Sequence, residues 1–237
     1  MKRAKTGIEK LDEICEGGFP ENSNIVVAGT PGTGKTILGL QFIYDGAEKF
    51  KEKGVYVSLE QRADALRKQC KRFGWDVSKL EKQKKVSILE FTADTINREI
   101  FEKIKKEVKR IKAKRLVIDS LSLIVMSSTF IQNEKYSLVE DGKIKSSTSA
   151  KQFIYTFIQL IEKLGCTTLF ITGLEKDTYN TEDGISEYLT DGSIVLRSRT
   201  MGQTLMRTIE IIKMRMTEIK GGIYTMDITN KGIEVRK

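Results

Sequence analysis

The sequence has 237 residues but no histidine, only two prolines and three cysteines. Without histidine, the commonest general base is missing, so any general base must be a carboxylate or a lysine. The cysteines, Cys15, Cys70 and Cys166, are isolated and odd in number. This argues against a disulfide framework or a cysteine zinc site and favours a reducing cytoplasm. No apolar run approaches membrane-spanning length and no signal peptide is recognisable, so we expect no membrane association.

The charge is strongly positive, with a formal net charge of +9. Basic residues are densest in the run 103–115, which overlaps an expected helix over 96–112. Apolar residues recur there at helical spacing, at Ile100, Ile104, Val108 and Ile111. The lysines would then occupy the solvated face, and no aromatic residues alternate with them to stack on bases. We therefore expect at most weak, non-specific binding of nucleic acid, carried by charge alone.

The segment 29–36 fits the phosphate-binding pattern G-x-x-x-x-G-K-[ST]. An apolar strand precedes it and a periodic helix follows from Ile37, which is the order that the pattern requires. Glycines let the backbone N–H groups converge on phosphate oxygens, Lys35 reaches the β- and γ-phosphates, and Thr36 ligates magnesium. We expect ATP and Mg²⁺ as cofactors. The residues expected to contact the nucleotide here are Gly29, Thr30, Pro31, Gly32, Thr33, Gly34, Lys35, Thr36 and Ile37.

Apolar runs alternate with helical patterns along most of the chain, which predicts an α/β fold with a mostly parallel central sheet covered by helices on both faces. The length favours one domain over residues 1–237. From residue 193 the pattern becomes strand, turn, strand, which predicts antiparallel strands added at the C-terminal end. The polar segment Ser127–Ser149 lacks periodicity and is expected to be a long loop. The expected strands are 24–28, 54–59, 86–91, 116–118, 168–172, 194–196, 205–216, 224–228 and 233–235.

Two acids follow apolar strands. Asp119 ends the run 115–119, which would place it at the carboxyl edge of the sheet beside the phosphate loop, where it could hold magnesium through water. Glu60 follows the strand that begins at Gly54, and there a carboxylate would face the space beyond the γ-phosphate. We expect Glu60 to orient or deprotonate the attacking water. The alternatives are a turn or helix cap for Asp119 and a helix-start acid for Glu60.

Two cations lie late in the chain. Lys213 and Arg215 are two residues apart on an expected strand and would project from the same face. They could stabilise charge on a transferring phosphoryl group, and, because they come late in the chain, could serve the site of a neighbouring subunit. The alternative is an edge strand protected by positive charge.

Motifs over nearly the whole chain together resemble the KaiC-like branch of RecA-type ATPases. The segments that carry the resemblance are Thr6-Gly7-Ile8, Leu11-Asp12, Gly17-Gly18-Phe19-Pro20, 29–36, Val57-Ser58-Leu59-Glu60, Phe73-Gly74-Trp75-Asp76, 116–120, Lys213-x-Arg215, Gly222-x-Tyr224, Ile228-Thr229 and Gly232.

The resemblance implies a RecA-like P-loop ATPase core, commonly a hexameric ring with nucleotide between subunits. It implies that Asp119 binds the magnesium and that Glu60 acts on the attacking water. It also implies that Lys213 and Arg215 contact the γ-phosphate of the adjacent subunit. It also places Arg72, Met214 and Asn230 around the nucleoside. The implied activity is ATP hydrolysis. The alternative is a nucleotide-gated scaffold, or a RecA-paralogue regulator of DNA recombination or repair, with little turnover. The protein partner is unknown, and autophosphorylation is left open.

The chain departs from the family pattern at a few positions. Many members have two adjacent glutamates where this chain has Glu60-Gln61, so one carboxylate is missing and slow hydrolysis is expected. Met216 and Ile219 replace a common glycine and a common histidine just after the cationic pair. The segment Ser127–Ser149 has no clear counterpart in the family pattern.

Overall fold

A computed structural model describes residues 1–92, 100–124, 146–175 and 178–236, with side chains from 151 onward in the third range. The strands are β1 Arg3–Ala4, β2 Phe19–Pro20, β3 Asn24–Gly29, β4 Gly54–Ser58, β5 Val86–Glu90, β6 Arg115–Asp119, β7 Thr167–Thr172, β8 Gly192–Met201, β9 Thr204–Met214, β10 Ile223–Thr229 and β11 Gly232–Arg236. The helices are α1 Glu9–Ile14, α2 Lys35–Lys49, α3 Ala63–Arg72, α4 Val77–Lys82, α5 Ile100–Ile111, α6 Ser146–Glu162 and α7 Ser186–Leu189.

Nine strands form the main sheet, in the order β11-β10-β9-β8-β3-β7-β6-β4-β5. The six strands from β8 to β5 in this order are parallel, and β9, β10 and β11 continue the sheet as antiparallel strands. The predicted mixed sheet is confirmed. One strand was assigned wrongly, because β8 runs parallel to β3 and is not the first antiparallel strand. Strands β7 and β8 lie on either side of β3 and both run parallel to it, so the connection between them is a crossover.

Alternate residues of the central strands enter two cores on opposite faces of the sheet. Tyr56 and Val117 join the core that contains α2, whereas Val55 and Leu116 join the core that contains α5 and α6. Strands with both faces buried have nearly continuous apolar sequences, and this is the pattern that predicted them. The expected apolar face of α5 is confirmed, since all four residues at helical spacing are buried.

Three boundaries differ from the sequence prediction. Strand β9 ends at Met214, so Arg215 lies in the turn beyond the strand and not on it. The expected loop Ser127–Ser149 is too long, because α6 begins at Ser146; its residues up to 145 lie outside the described part of the chain. The first residues of the helix expected over 96–112 also lie outside it.

Three short helices and one strand pair were not predicted. Helices α1, α4 and α7 have six, six and four residues, too few for their periodicity to stand out. Strands β1 and β2 form a separate two-stranded sheet. Within the described residues, no helix has the length and apolarity needed to cross a membrane.

Candidate functional site

The phosphate loop connects the carboxyl end of β3 to the first residue of α2. Gly34 has a φ of 106° and directly precedes α2, a backbone conformation that glycine adopts without strain. The Nζ of Lys35 folds over the loop and donates to the carbonyls of Gly29 and Thr30, at 2.6 and 3.1 Å. Burial lowers the pKa of Lys35, and the negative charges of Asp119, Glu60 and Glu182 oppose that shift. The lysine therefore lies within electrostatic range of three carboxylates.

Asp119 lies where the sequence predicted it, at the end of β6 and beside the head of α2. The hydroxyl of Thr36 donates to Asp119 Oδ2 at 2.8 Å, and the hydroxyl of Tyr56 donates to the same oxygen. Only 3% of Asp119 is exposed, and burial raises its pKa, with the two hydroxyl donors and the charge of Lys35 acting in the opposite direction. Tyr56, on neighbouring β4, is fully buried and holds the carboxylate in place.

The pair of Thr36 and Asp119 suits magnesium by its donor chemistry. Both offer hard oxygen ligands, and Mg²⁺ prefers one or two such protein ligands with the rest supplied by water and phosphate. Within the described ranges, no group of three or more His, Cys, Asp or Glu residues could hold a metal by itself. These residues would fix the ion against the triphosphate.

Glu60 lies two residues beyond β4, and its carboxylate is exposed. Its neighbour is set by the register of the sheet, in which Ser58 on β4 is opposite Asp119 on β6. The residue after Asp119, Ser120, donates its hydroxyl to Glu60 Oε1. The sheet therefore brings the expected metal ligand and the expected base to adjacent positions at the same edge.

A cleft of about 380 Å³ opens beside the start of α2. This volume lies in the range of small-ligand sites. It brings together three residues expected to contact the nucleotide, Ile37, Arg72 and Asn230, which come from α2, α3 and the β10–β11 turn. The other residues that line the cleft are Gln69, Phe73, Ile228 and Thr229.

Lys213 and Arg215 lie toward the amino ends of the parallel strands, whereas the phosphate loop follows the carboxyl end of β3. Through β8, Lys213 is level with Val26, and the backbone of Arg215 is linked through Asp191 to Asn24. Asn24 precedes Gly29 by five residues, a separation of about 16 Å along a strand. The structure therefore does not bring these two cations to the phosphate loop of their own chain.

Both cations bind the segment that leads into β8. Lys213 Nζ donates to the carbonyl of Glu187 at 2.7 Å, and Arg215 forms an ion pair of 3.1 Å with Asp191. Burial lowers the pKa of Lys213, the charge of Arg215 lowers it further, and Asp191 and Glu187 act in the opposite direction. The two cations therefore lie near each other although only Lys213 is on β9.

Met214 is buried in the core, unlike the exposed Arg215 and the partly buried Lys213 on either side of it. Its side chain is 5% exposed and belongs to the core that contains α2. The side chain is therefore not on the surface that Lys213 and Arg215 share, and it does not reach the cleft that contains Arg72.

A sequence model of the family described as "ATPase: KaiC" matches residues 4–237. The chain belongs to the KaiC ATPase family. Among solved structures, a KaiC-like protein from Pyrococcus horikoshii OT3 superposes with a TM-score of 0.82 at 36% sequence identity, covering 100% of this chain and 99% of that one. The KaiC-like, RecA-type fold expected from the sequence is confirmed.

Two curated relatives show different extents of match. A UPF0273 protein of Thermotoga maritima is 32% identical over 99% of this chain and 96% of its own length. The circadian clock oscillator protein KaiC of Synechococcus elongatus is 30% identical over 99% of this chain, which spans only 44% of that protein. This KaiC-family chain therefore matches one relative along most of its length and the other over less than half.

Sequence reasoning missed two polar residues at the site. Gln69 lines the cleft, and its buried Oε1 has no hydrogen-bond partner among the described residues. Glu182 contributes to the electrostatics of Lys35 from a segment with no regular pattern. Neither residue is part of a motif, so only the folded chain brings them to the site.

Proposed function

We propose that this KaiC-family chain binds ATP with Mg²⁺ and hydrolyses it, as a ring of identical subunits with nucleotide held between neighbours. The family supports nucleotide hydrolysis in general. The observation that carries the proposal for this chain is the contact between Thr36 and Asp119, directly behind the phosphate loop. Magnesium, when bound there, would neutralise phosphate charge.

The protein residues then have distinct tasks. Backbone N–H groups of residues 29–36 and the ammonium of Lys35 bind the phosphates, while Arg72, Asn230 and Ile37 hold the nucleoside in the cleft. Glu60 orients the attacking water and receives its proton, and Ser120 holds that carboxylate in place. In hydrolysis the water oxygen bonds to the γ-phosphorus, the bond to the bridging oxygen breaks, and ADP leaves with that electron pair.

The ring is supported by the position of the cations. Lys213 and Arg215 lie toward the amino ends of the parallel strands, away from the phosphate loop of their own chain. The side chain of Arg215 is 56% exposed and available to another molecule. In the proposed ring they reach the γ-phosphate bound by the next subunit and stabilise the charge that develops there.

Two measurements test the proposed function. The first is release of inorganic phosphate from ATP by the purified chain, with Mg²⁺ present or chelated; we expect turnover only with the metal. The second is the mass of the particle with and without Mg-ATP, which should increase to that of a ring. A chain that binds ATP but releases no phosphate would contradict hydrolysis, and a monomer that turns over ATP would contradict the ring.

A Lys35→Ala variant tests the assignment of the phosphate loop. Loss of a charge-assisted contact should cost roughly 1.5–3 kcal/mol, about ten- to a hundredfold in ATP affinity measured by calorimetry. Lys82→Ala, a change at an exposed lysine at the end of α4, is the matched control. Unchanged affinity in folded Lys35→Ala would contradict the assignment.

A further inference from the structure

Strand β7 ends between the two halves of the site. Ala28 of β3 is opposite Thr172 of β7, so Gly29 and Gly173 follow side by side. On the other side, Asp119 of β6 is opposite Ile171, so Ser120 is beside Thr172. A side chain placed over Gly173 therefore lies between the phosphate loop and the pair of Ser120 and Glu60.

Glu182 is that side chain. A Cβ added to Gly173 would lie 1.9 Å from the carboxyl carbon of Glu182, so the carboxylate packs directly on the glycine and any other residue would displace it. The backbone N–H of Glu182 donates to the carbonyl of Gly173 at 3.1 Å, and Leu174 pairs with Thr181 in an antiparallel bridge. The chain thus turns back on itself to bring Glu182 to this place.

Ser122 connects this carboxylate to the end of β7. Its hydroxyl accepts from the backbone N–H of Gly173 at 3.1 Å and lies 3.4 Å from Glu182 Oε2. It also lies 3.1 Å from the hydroxyl of Thr172. Glu182 itself is exposed, so its oxygens remain available to a molecule in the site.

The charge of Glu182 acts on the phosphate-binding lysine. Burial lowers the pKa of Lys35, and the charge of Glu182 opposes that shift, as do the charges of Asp119 and Glu60. Asp119 is buried and holds two hydroxyl donors, which leaves Glu60 and Glu182 as the exposed carboxylates of this set. At the position after Glu60 the chain has Gln61, which cannot accept a proton.

We propose that Glu182 is a second water-orienting carboxylate, which contacts the attacking water from the β7 side while Glu60 contacts it from the β4 side. This inference rests on the proposed hydrolysis. One O–H of the water donates to Glu182 and the other to Glu60. As the water oxygen bonds to the γ-phosphorus and the bond to ADP breaks, Glu60 receives the proton and Glu182 keeps its hydrogen bond.

The test compares Glu182→Gln with the wild-type chain in steady-state phosphate release and in calorimetric binding of Mg-ATP. The neutral amide accepts a weaker hydrogen bond from the water than the carboxylate does, and Glu60 remains, so we expect kcat to fall about tenfold, below the usual contribution of a general base, while ATP affinity is unchanged. Gly173→Ala displaces the same carboxylate without removing its charge and should lower kcat to a similar extent. The double variant, Gly173→Ala with Glu182→Gln, should be no slower than the slower of the two single variants, because both changes act on the same contact between residue 182 and the water.

Gly221→Ala is the matched glycine control, since a Cβ there meets nothing within 4 Å, and it should keep the wild-type rate. Glu182→Gln decides the question even if Gly173→Ala does not fold, because it leaves the packing volume unchanged. An unchanged kcat in Glu182→Gln, or an equal loss of ATP affinity, would overturn the proposal and leave hydrolysis intact. Absence of phosphate release by the wild-type chain would overturn the proposed function as well.

Discussion

The hydroxyl of Thr36 donates a 2.8 Å hydrogen bond to the carboxylate of Asp119, although 83 positions separate the two residues in the chain. The contact joins the start of α2, which follows β3, to the end of β6, and β7 lies between β3 and β6 in the sheet. It unites the two oxygen ligands proposed for magnesium, and Tyr56 holds the carboxylate from the next strand.

Asp119→Asn should weaken the dependence of ATP binding on magnesium. The neutral amide keeps the shape but loses the charge that attracts the ion, so ATP affinity with Mg²⁺ should fall about tenfold or more. Calorimetry with and without chelator measures this. Asp64→Asn, at an exposed ion pair with Arg67, is the control. If magnesium strengthens binding as much in Asp119→Asn as in the wild-type chain, the metal is held elsewhere.

Glu60→Gln should separate binding from turnover. The amide can still accept the hydroxyl of Ser120 but cannot take a proton, so kcat should fall about 10²-fold or more at nearly unchanged ATP affinity. Phosphate release and calorimetry on the same samples give both quantities. Glu48→Gln, an exposed glutamate on α2, controls for loss of charge. Equal turnover in Glu60→Gln and wild type would assign the base to another residue.

The cleft beside α2 predicts that Arg72 and Asn230 sense the nucleoside and not the phosphates. Arg72→Ala and Asn230→Ala should each weaken ATP binding about five- to tenfold, the loss of one polar contact, while binding of inorganic tripolyphosphate stays the same. Competition assays with the two ligands distinguish these cases. Lys71→Ala, next to Arg72 and equally exposed, should have no effect. Equal losses for both ligands would indicate a general charge effect.

The basic face of α5 should bind DNA weakly at most. Two of its cations are already paired, Lys105 with Glu102 and Arg110 with Glu107. Fluorescence anisotropy should give a Kd no tighter than about 1 µM at physiological salt, falling steeply as salt rises, and Lys105→Glu with Lys109→Glu should abolish it. A tight complex that resists salt would instead favour a DNA-directed regulator.

Much of the fold follows from local pattern. Strands buried on both faces have continuous apolar sequences, so β3, β4 and β6 could be predicted directly. The phosphate loop could be predicted as well, because its glycines and its lysine occur at a spacing that few sequences have. Asp119 could be predicted as well, because the carboxyl ends of parallel strands meet at one edge.

The remaining features depend on contacts between residues far apart in the chain, which a local sequence pattern does not predict. Met214 is buried because β9 packs on the start of β3 through β8, and the sequence of β9 does not specify that register. The parallel direction of β8 depends on the connection from β7, which in its described residues contains no helix other than the four-residue α7. Glu182 reaches the site only because Gly173 leaves room for its carboxylate, a relation between residues with no shared motif.

The central claim, that the cations of one subunit complete the site of the next, is tested most directly by mixing two inactive variants. Lys35→Ala has a defective phosphate loop but intact Lys213 and Arg215. Arg215→Ala has an intact phosphate loop but lacks the Arg215 cation. Their mixture should recover measurable phosphate release at the mixed interfaces, with mass measurements verifying that both subunits share a ring. Mixed rings that stay as inactive as their parents would contradict the account.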